Sequence, residues 1–332
     1  MLEGPGDAAP DIGPPDRLAR RAAASTDCTL IVANASGRSG AARQSSSRAM
    51  EYGMLTGIKS VFVAITEEGL QETHVALAYA LSLAKAADAH LTVEAAARRY
   101  AIPYSAVADF GRALMSSENR RIAKLTTALA ETAKAEADFA GVVSTVETEQ
   151  SGFAEMRDRL VGRARVADVT VLDAEASVSE IDRGLIEAVL FDSGRPLIIV
   201  PPGHASFDAR NVLIAWDGGA SAARAVADAL PILRAAEAVE ILSVADEEEL
   251  KGTLPGTELA PHLARHGIKV TVKLAETGSG DVADVIRSHA AGLGAGLIVA
   301  GAYRHSRLRE LLLGGVTQSL LKDCDVPLLL SH

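Results

Sequence analysis

The sequence predicts an α/β protein made of two tandem copies of one parallel-sheet domain. Three observations carry this expectation. Apolar runs of a few residues, the mark of strands buried on both faces, alternate with amphipathic helical segments. The same order of segments occurs twice along the chain. A length of 332 residues exceeds one ordinary domain and suits two of roughly 140 to 150.

Residues 1–55 are rich in Gly, Pro, Ser, Ala and Arg, with one short apolar run at 29–33. Nothing there is long or periodic enough to build a core, and the segment reads as disordered. The alternative is that translation begins at Met50 or Met54. A first domain is expected over 56–205. Its strands are 61–65, a second begun by Leu91 and Val93, a third at Val142, Val143 and Val146, then 169–172 and 197–200. Between them lie a helix with Val75, Leu77, Ala80, Leu81 and Leu83 on one broad face, and a long helix over 117–139. A third helix, opened by Ser151 and Gly152, carries Met156, Leu160 and Val161, and a fourth covers 181–190.

A second domain is expected over 206–332, after a linker begun by Pro-Pro-Gly-His at 201–204. The apolar run 212–216 repeats 61–65, and a helix over 220–235 follows. The strand 239–244 and a helix ending near His266 and Gly267 come next. Val270, Val272 and Leu274 alternate as a third strand. Ser279 and Gly280 open a helix as Ser151 and Gly152 do, and 297–300 is the fourth strand. Pro327 with Leu328 to Leu330 echoes Pro196 with Leu197 to Ile199.

Composition excludes several function classes. A formal net charge of −10 argues against nucleic-acid and anionic-membrane partners, and 4% aromatic residues leave few platforms for stacking bases. No run of about 18 apolar residues is present to span a membrane. The two cysteines, Cys28 and Cys324, cannot make a disulfide framework, so a cytoplasmic setting is expected. Gly278-Ser279-Gly280-Asp281-Val282-Ala283 fits G-x-G-x-x-A. It follows the third strand of its copy rather than the first, and Tyr303 stands where the dinucleotide fingerprint needs an acid, so it reads as a tight turn. His262 and His266 share a helix face without a third ligand and nominate no metal site. Neither a G-x-S-x-G elbow nor a Walker A sequence occurs.

The informative stretch is 301–317. Gly301 follows a buried strand, and Gly314 and Gly315 start a helix with Val316, Leu320 and Leu321 on one face. Backbone N–H groups at such a helix start, bared by glycine, can cradle a phosphate. The stretch resembles the nucleotide-binding loop of the universal stress protein family, whose pattern is G-x2-G-x9-G-[S/T]. Gly301 fits the first glycine and Gly314 the third. Arg304 stands in place of the second, and Gly315 in place of the Ser or Thr. Leu308, Glu310, Leu313, Val316 and Thr317 fall in register.

The resemblance covers about residues 58–332 and implies two Rossmann-like open parallel five-stranded sheets, each in order 3-2-1-4-5 with helices on both faces. Ligands of such sheets sit beyond the carboxyl ends of the strands, where the order reverses. It further implies ATP with Mg as the ligand of the second domain. Asp217 would contact the adenine end, Val244 would pack on the base, and Gly301, Gly314, Gly315, Val316 and Thr317 would form the phosphate side. Arg304 would either clamp a phosphate or fill its pocket. Residue by residue the plain alternatives stay open. Asp217 caps a helix, Val244 is core, and the Thr317 hydroxyl bonds its own helix.

In the first domain Thr66 replaces the aspartate and Asp173-Ala174-Glu175-Ala176 replaces the glycine loop. Carboxylates facing a helix start repel phosphate, so this copy is read as structural or partner-facing. Pairing of 196–200 with 326–330 would cover two apolar edges and give an intramolecular pseudo-dimer; whether two chains pair further is left open. The expected function is a cytoplasmic stress-response regulator whose ATP occupancy is read by a protein partner, with no catalytic residue nominated. The alternatives are a ligand-free interaction scaffold and, from another class, a nucleotide-processing enzyme on the same superfold.

Overall fold

A computed structural model describes residues 30–31, 55–66, 74–99, 109–174, 180–245, 256–277, 281–302, 315–323 and 325–332. The first half runs β2 (Ser60–Thr66), α1 (Val75–Ala87), β3 (His90–Arg98), α2 (Asp109–Ala140), β4 (Ser144–Ser151), α3 (Phe153–Arg165), β5 (Val169–Asp173), α4 (Glu180–Asp192) and β6 (Leu197–Val200). The second half runs β7 (Asn211–Ala215), α5 (Ala220–Ala235), β8 (Ala238–Ala245), α6 (Leu259–Arg265), β9 (Val270–Glu276), α7 (Val282–Leu293), β10 (Leu297–Gly301), α8 (Gly315–Asp323) and β11 (Leu328–Ser331). A two-residue strand, β1 (Leu30–Ile31), precedes both, within the stretch read from sequence as disordered, and pairs antiparallel with β9.

Within each half the strands follow the order 3-2-1-4-5 and pair in parallel. The expectation of two separate five-stranded sheets is corrected. The two fifth strands pair antiparallel, Leu328 opposite Ile199, Leu329 opposite Ile198 and Leu330 opposite Leu197, and fuse both halves into one continuous sheet. The reason is physical. Both strands are buried at every position, so an unpaired edge there would bury a row of orphaned N–H and C=O groups.

The period of two in the strands sorts the core into two layers. Val61, Val63, Val212 and Ile214 face α1, α2, α5 and α6, whereas Phe62, Leu172, Leu213 and Ile298 face α3, α4, α7 and α8. Both layers run through the junction of the halves.

Two boundaries differ from expectation. The long helix α2 begins at Asp109 rather than 117. The third strand begins at Ser144, after the apolar pair that suggested it: Val142 is buried but Val143 is 72% exposed. β4 is an end strand of polar sequence, and its glutamates meet arginines from α3 instead of an apolar helix face.

Candidate functional site

At the carboxyl ends of β7, β8 and β10 the second half opens a cleft with about 300 Å³ of free space. It lies where the order reverses, since β7 pairs with β8 on one side and β10 on the other. Leu242 and Val244 from β8 and Val282 and Ile286 from α7 line one part of it. Ala300 and Gly301, Leu330 of β11, and Gly315, Val316, Thr317 and Leu320 of α8 line the rest, with Trp216 and Asp217 following β7. The structure thus brings together Asp217, Val244, Gly301, Gly315, Val316 and Thr317. Arg304 and Gly314 lie outside the described residues, as do Gly278, Ser279 and Gly280 of the turn.

Each of these residues has a local physical role. The exposed Asp217 accepts the Gly219 N–H at 2.7 Å through Oδ1, across Gly218 at φ +74°. This Asx turn shapes the approach to α5 and needs no ligand, but it bonds the N-cap residue Gly219 and not a helix N–H, so Asp217 is not the helix cap. Val244 is half-buried at the cleft wall, and Thr317 is buried at the first turn of α8. Gly301 is required by packing. A Cβ there would overlap the Ala222 nitrogen and stand 2.7 Å from the Ser221 carbonyl carbon, because β10 ends against the first turn of α5. Gly315 is different, since it is exposed and a Cβ would meet nothing within 4 Å among the described residues. Among those residues neither a positive φ nor a close neighbour accounts for glycine at that helix start. Trp216 is 9% exposed and donates its indole N–H to Glu258 Oε1 at 2.8 Å, fastening the start of α6 beside the cleft.

Sequence reasoning missed Leu242, Ile286, Leu320 and Leu330, because apolar residues that line a cleft carry the same pattern as apolar residues in a core. Only their position separates them: Leu242 and Leu330 lie toward the carboxyl ends of β8 and β11, and Ile286 and Leu320 on α7 and α8.

In the first half the corresponding positions carry different side chains. Asp173 ends β5 as Gly301 ends β10, and its Oδ1 accepts the Ala76 N–H at 2.7 Å, so a carboxylate occupies the start of α1. Phe153 of α3 packs on α4, its ring tip 3.1 Å from where a Cβ on Gly184 would stand. Where Ala215 lies beside Leu242, Ala64 lies beside Glu94. Glu94 is 1% exposed and accepts from Arg159 Nε at 2.7 Å, and Arg159 also donates to Glu147 at 2.8 Å. Arg163 bonds Glu147 and stands 3.7 Å from Glu94, while Glu149 is 3.5 Å from Arg159.

Burial pushes the Glu94 carboxyl above its ordinary range, and Arg159 and then Arg163 pull it back only in part. With the folded pKa raised, Glu94 contributes most to stability below the ordinary glutamate range and loses that contribution as pH rises through the raised value. Glu94→Gln lacks this titration. The stability of the variant relative to the parent is therefore expected to rise as pH climbs from the ordinary glutamate range through the raised value, read by urea unfolding across that range. A pH-independent difference would remove the assignment.

What the second-half cleft can do is bind: bared N–H groups at one end, an apolar wall at the other. Among the described residues no group of three His, Cys, Asp or Glu side chains is placed to hold a metal ion, and no described helix is long and apolar enough to cross a membrane.

The family model described as "Universal stress protein family" matches residues 209–332, the whole of the half that carries the cleft. The second half matches the model of that family along its whole length. The fold extends the likeness over the first half. A universal stress protein from Archaeoglobus fulgidus superposes with a TM-score of 0.57 at 16% identity, covering 82% of this chain and 98% of that one. A protein of unknown function from Pseudomonas aeruginosa gives a TM-score of 0.52 at 16% identity, covering 83% and 93%. At that identity the likeness is one of fold. No curated protein sequence matches the chain. A half that matches the universal stress protein family model thus follows a half of the same strand order.

Proposed function

We propose that the chain is a tandem universal stress protein, a cytoplasmic stress-response regulator whose second half binds an adenine nucleotide, ATP with Mg, while its first half binds none. The observation that carries the reading is the cleft itself, beyond the carboxyl ends of β7, β8 and β10, with an apolar wall on one side and the glycine-started α8 on the other; among the described residues neither packing nor a positive φ requires Gly315. The residues fit the ligand. The apolar wall from Leu242 to Ile286 suits a base, the N–H groups of α8 suit phosphates, and Asp217 stands at the rim. The reading is one of binding, with occupancy the signal that a protein partner reads.

The test is calorimetric titration of the full chain with Mg-ATP. Micromolar binding is expected, weakened about tenfold by Asp217→Ala. Arg304→Gly is titrated alongside. A parent that binds nothing while Arg304→Gly binds would replace this reading with the ligand-free scaffold.

A further inference from the structure

The end of β11 is tied to both halves. The Ala302 N–H donates to Ser331 O at 2.9 Å, and Gly301 lies opposite Ser331 in the β10–β11 register. Ser331, 2% exposed, donates its hydroxyl to Asp228 of α5 at 2.9 Å. His332 then turns back, its Nδ1 3.0 Å from Ala302 O. A carbonyl only accepts, so Nδ1 carries the proton of this bond. The other contact of the imidazole is with the first half. The half-buried Phe191 of α4 meets it edge-to-face, ring centres 4.8 Å apart at 88°.

Gly301 and Leu330 line the cleft, and both lie one residue from this knot. We propose that Phe191, acting through the His332 ring on the Ala302 carbonyl, positions the β10 wall of the second-half cleft, so that the first half serves as a positioning element for the nucleotide site. The inference rests on the nucleotide reading for its functional consequence but not for its structural part. It gives the first half a role: it holds the other half's site in shape. The ties between the halves include the β6–β11 ladder beneath and the Phe191–His332 contact at the strand end. The second reaches the Ala302 carbonyl through a side chain, where the chain leaves β10.

The experiment uses the full chain with Phe191→Ala, Phe191→Tyr and His332→Leu. Amide hydrogen exchange is first measured without nucleotide. Exchange at Ala302 is expected to rise about tenfold in Phe191→Ala and His332→Leu, with Val93 of β3 unchanged as the control for global opening and Phe191→Tyr at the parent rate. Mg-ATP is then titrated, followed by fluorescence of Trp216, the protein's one tryptophan and a cleft residue. The dissociation constant is expected to rise about fivefold in the two disruptive variants and to recover in Phe191→Tyr. Unchanged exchange at Ala302 in both disruptive variants overturns the proposal, as does a rise matched at Val93. Faster exchange with parent affinity in a protein that binds nucleotide also overturns it. A parent that binds no Mg-ATP defeats the nucleotide reading, and the exchange measurement by itself then decides whether the wall is held from the first half.

Discussion

Gly301→Ala is expected to destabilise the protein by about 3 kcal/mol, while Gly315→Ala leaves stability unchanged or raises it by about 0.5 kcal/mol. The two glycines belong to one sequence motif and differ in what surrounds them. A methyl group at 301 would overlap the Ala222 nitrogen and stand 2.7 Å from the Ser221 carbonyl carbon and 2.9 Å from the Ala222 Cα. All three are backbone atoms at the start of α5, so no rotamer change can make room. Either α5 shifts off β10 or β10 separates from β7, and each movement opens a core layer that contains Ala222, Val226 and Val299. At 315 the added methyl meets nothing among the described residues, and alanine in a helix loses less backbone freedom than glycine. Urea unfolding of both variants checks the pair. Equal effects at the two positions would show that the close approach of β10 to α5 is not a constraint on the fold.

The contrast also marks how far the sequence could be read. The motif assigned Gly301 to a ligand, but its neighbours show that packing alone demands it. Gly315 looked like the weaker match, and it is the glycine that packing leaves unexplained. The strands were legible because runs such as 61–65 and 212–216 are apolar on both sides, as a sheet covered on both faces requires. The pairing of β6 with β11 was legible from two apolar edges, yet it makes one sheet, not two. The start of β4 was not legible. Val142 and Val143 suggested a strand, but an end strand can be polar when arginines such as Arg159 and Arg163 approach from the covering helix. The cleft wall at Leu242 and Ile286 was illegible for another reason, since only the fold distinguishes a lining residue from a core residue. The difference between the two halves at Phe153 and Glu94 was illegible as well, since the meaning of both residues comes from partners distant in sequence.

The strongest consequence of the fused sheet concerns cooperativity. Ile198 and Leu329 lie opposite each other in the antiparallel β6–β11 pair, 0% and 1% exposed, in the core layer shared by both halves. Truncating either to alanine removes three buried carbons and leaves a cavity, at an expected cost of about 3 kcal/mol. Because each side chain packs at the junction, the cost falls on both halves together. Denaturant unfolding of Ile198→Ala and of Leu329→Ala is therefore expected to give one transition, moved to lower denaturant, by probes in either half. The double variant should cost less than the sum of the singles by roughly 0.5 to 1 kcal/mol, since the second truncation removes contacts already lost. Trp216 reports the second half and a label near β3 the first. If the two probes separate, with only one transition moved, the ladder joins two independent folding units. Coincident transitions would mean that a ligand bound beside β10 stabilises the first half as well. The sheet itself would then carry occupancy of one half to the other.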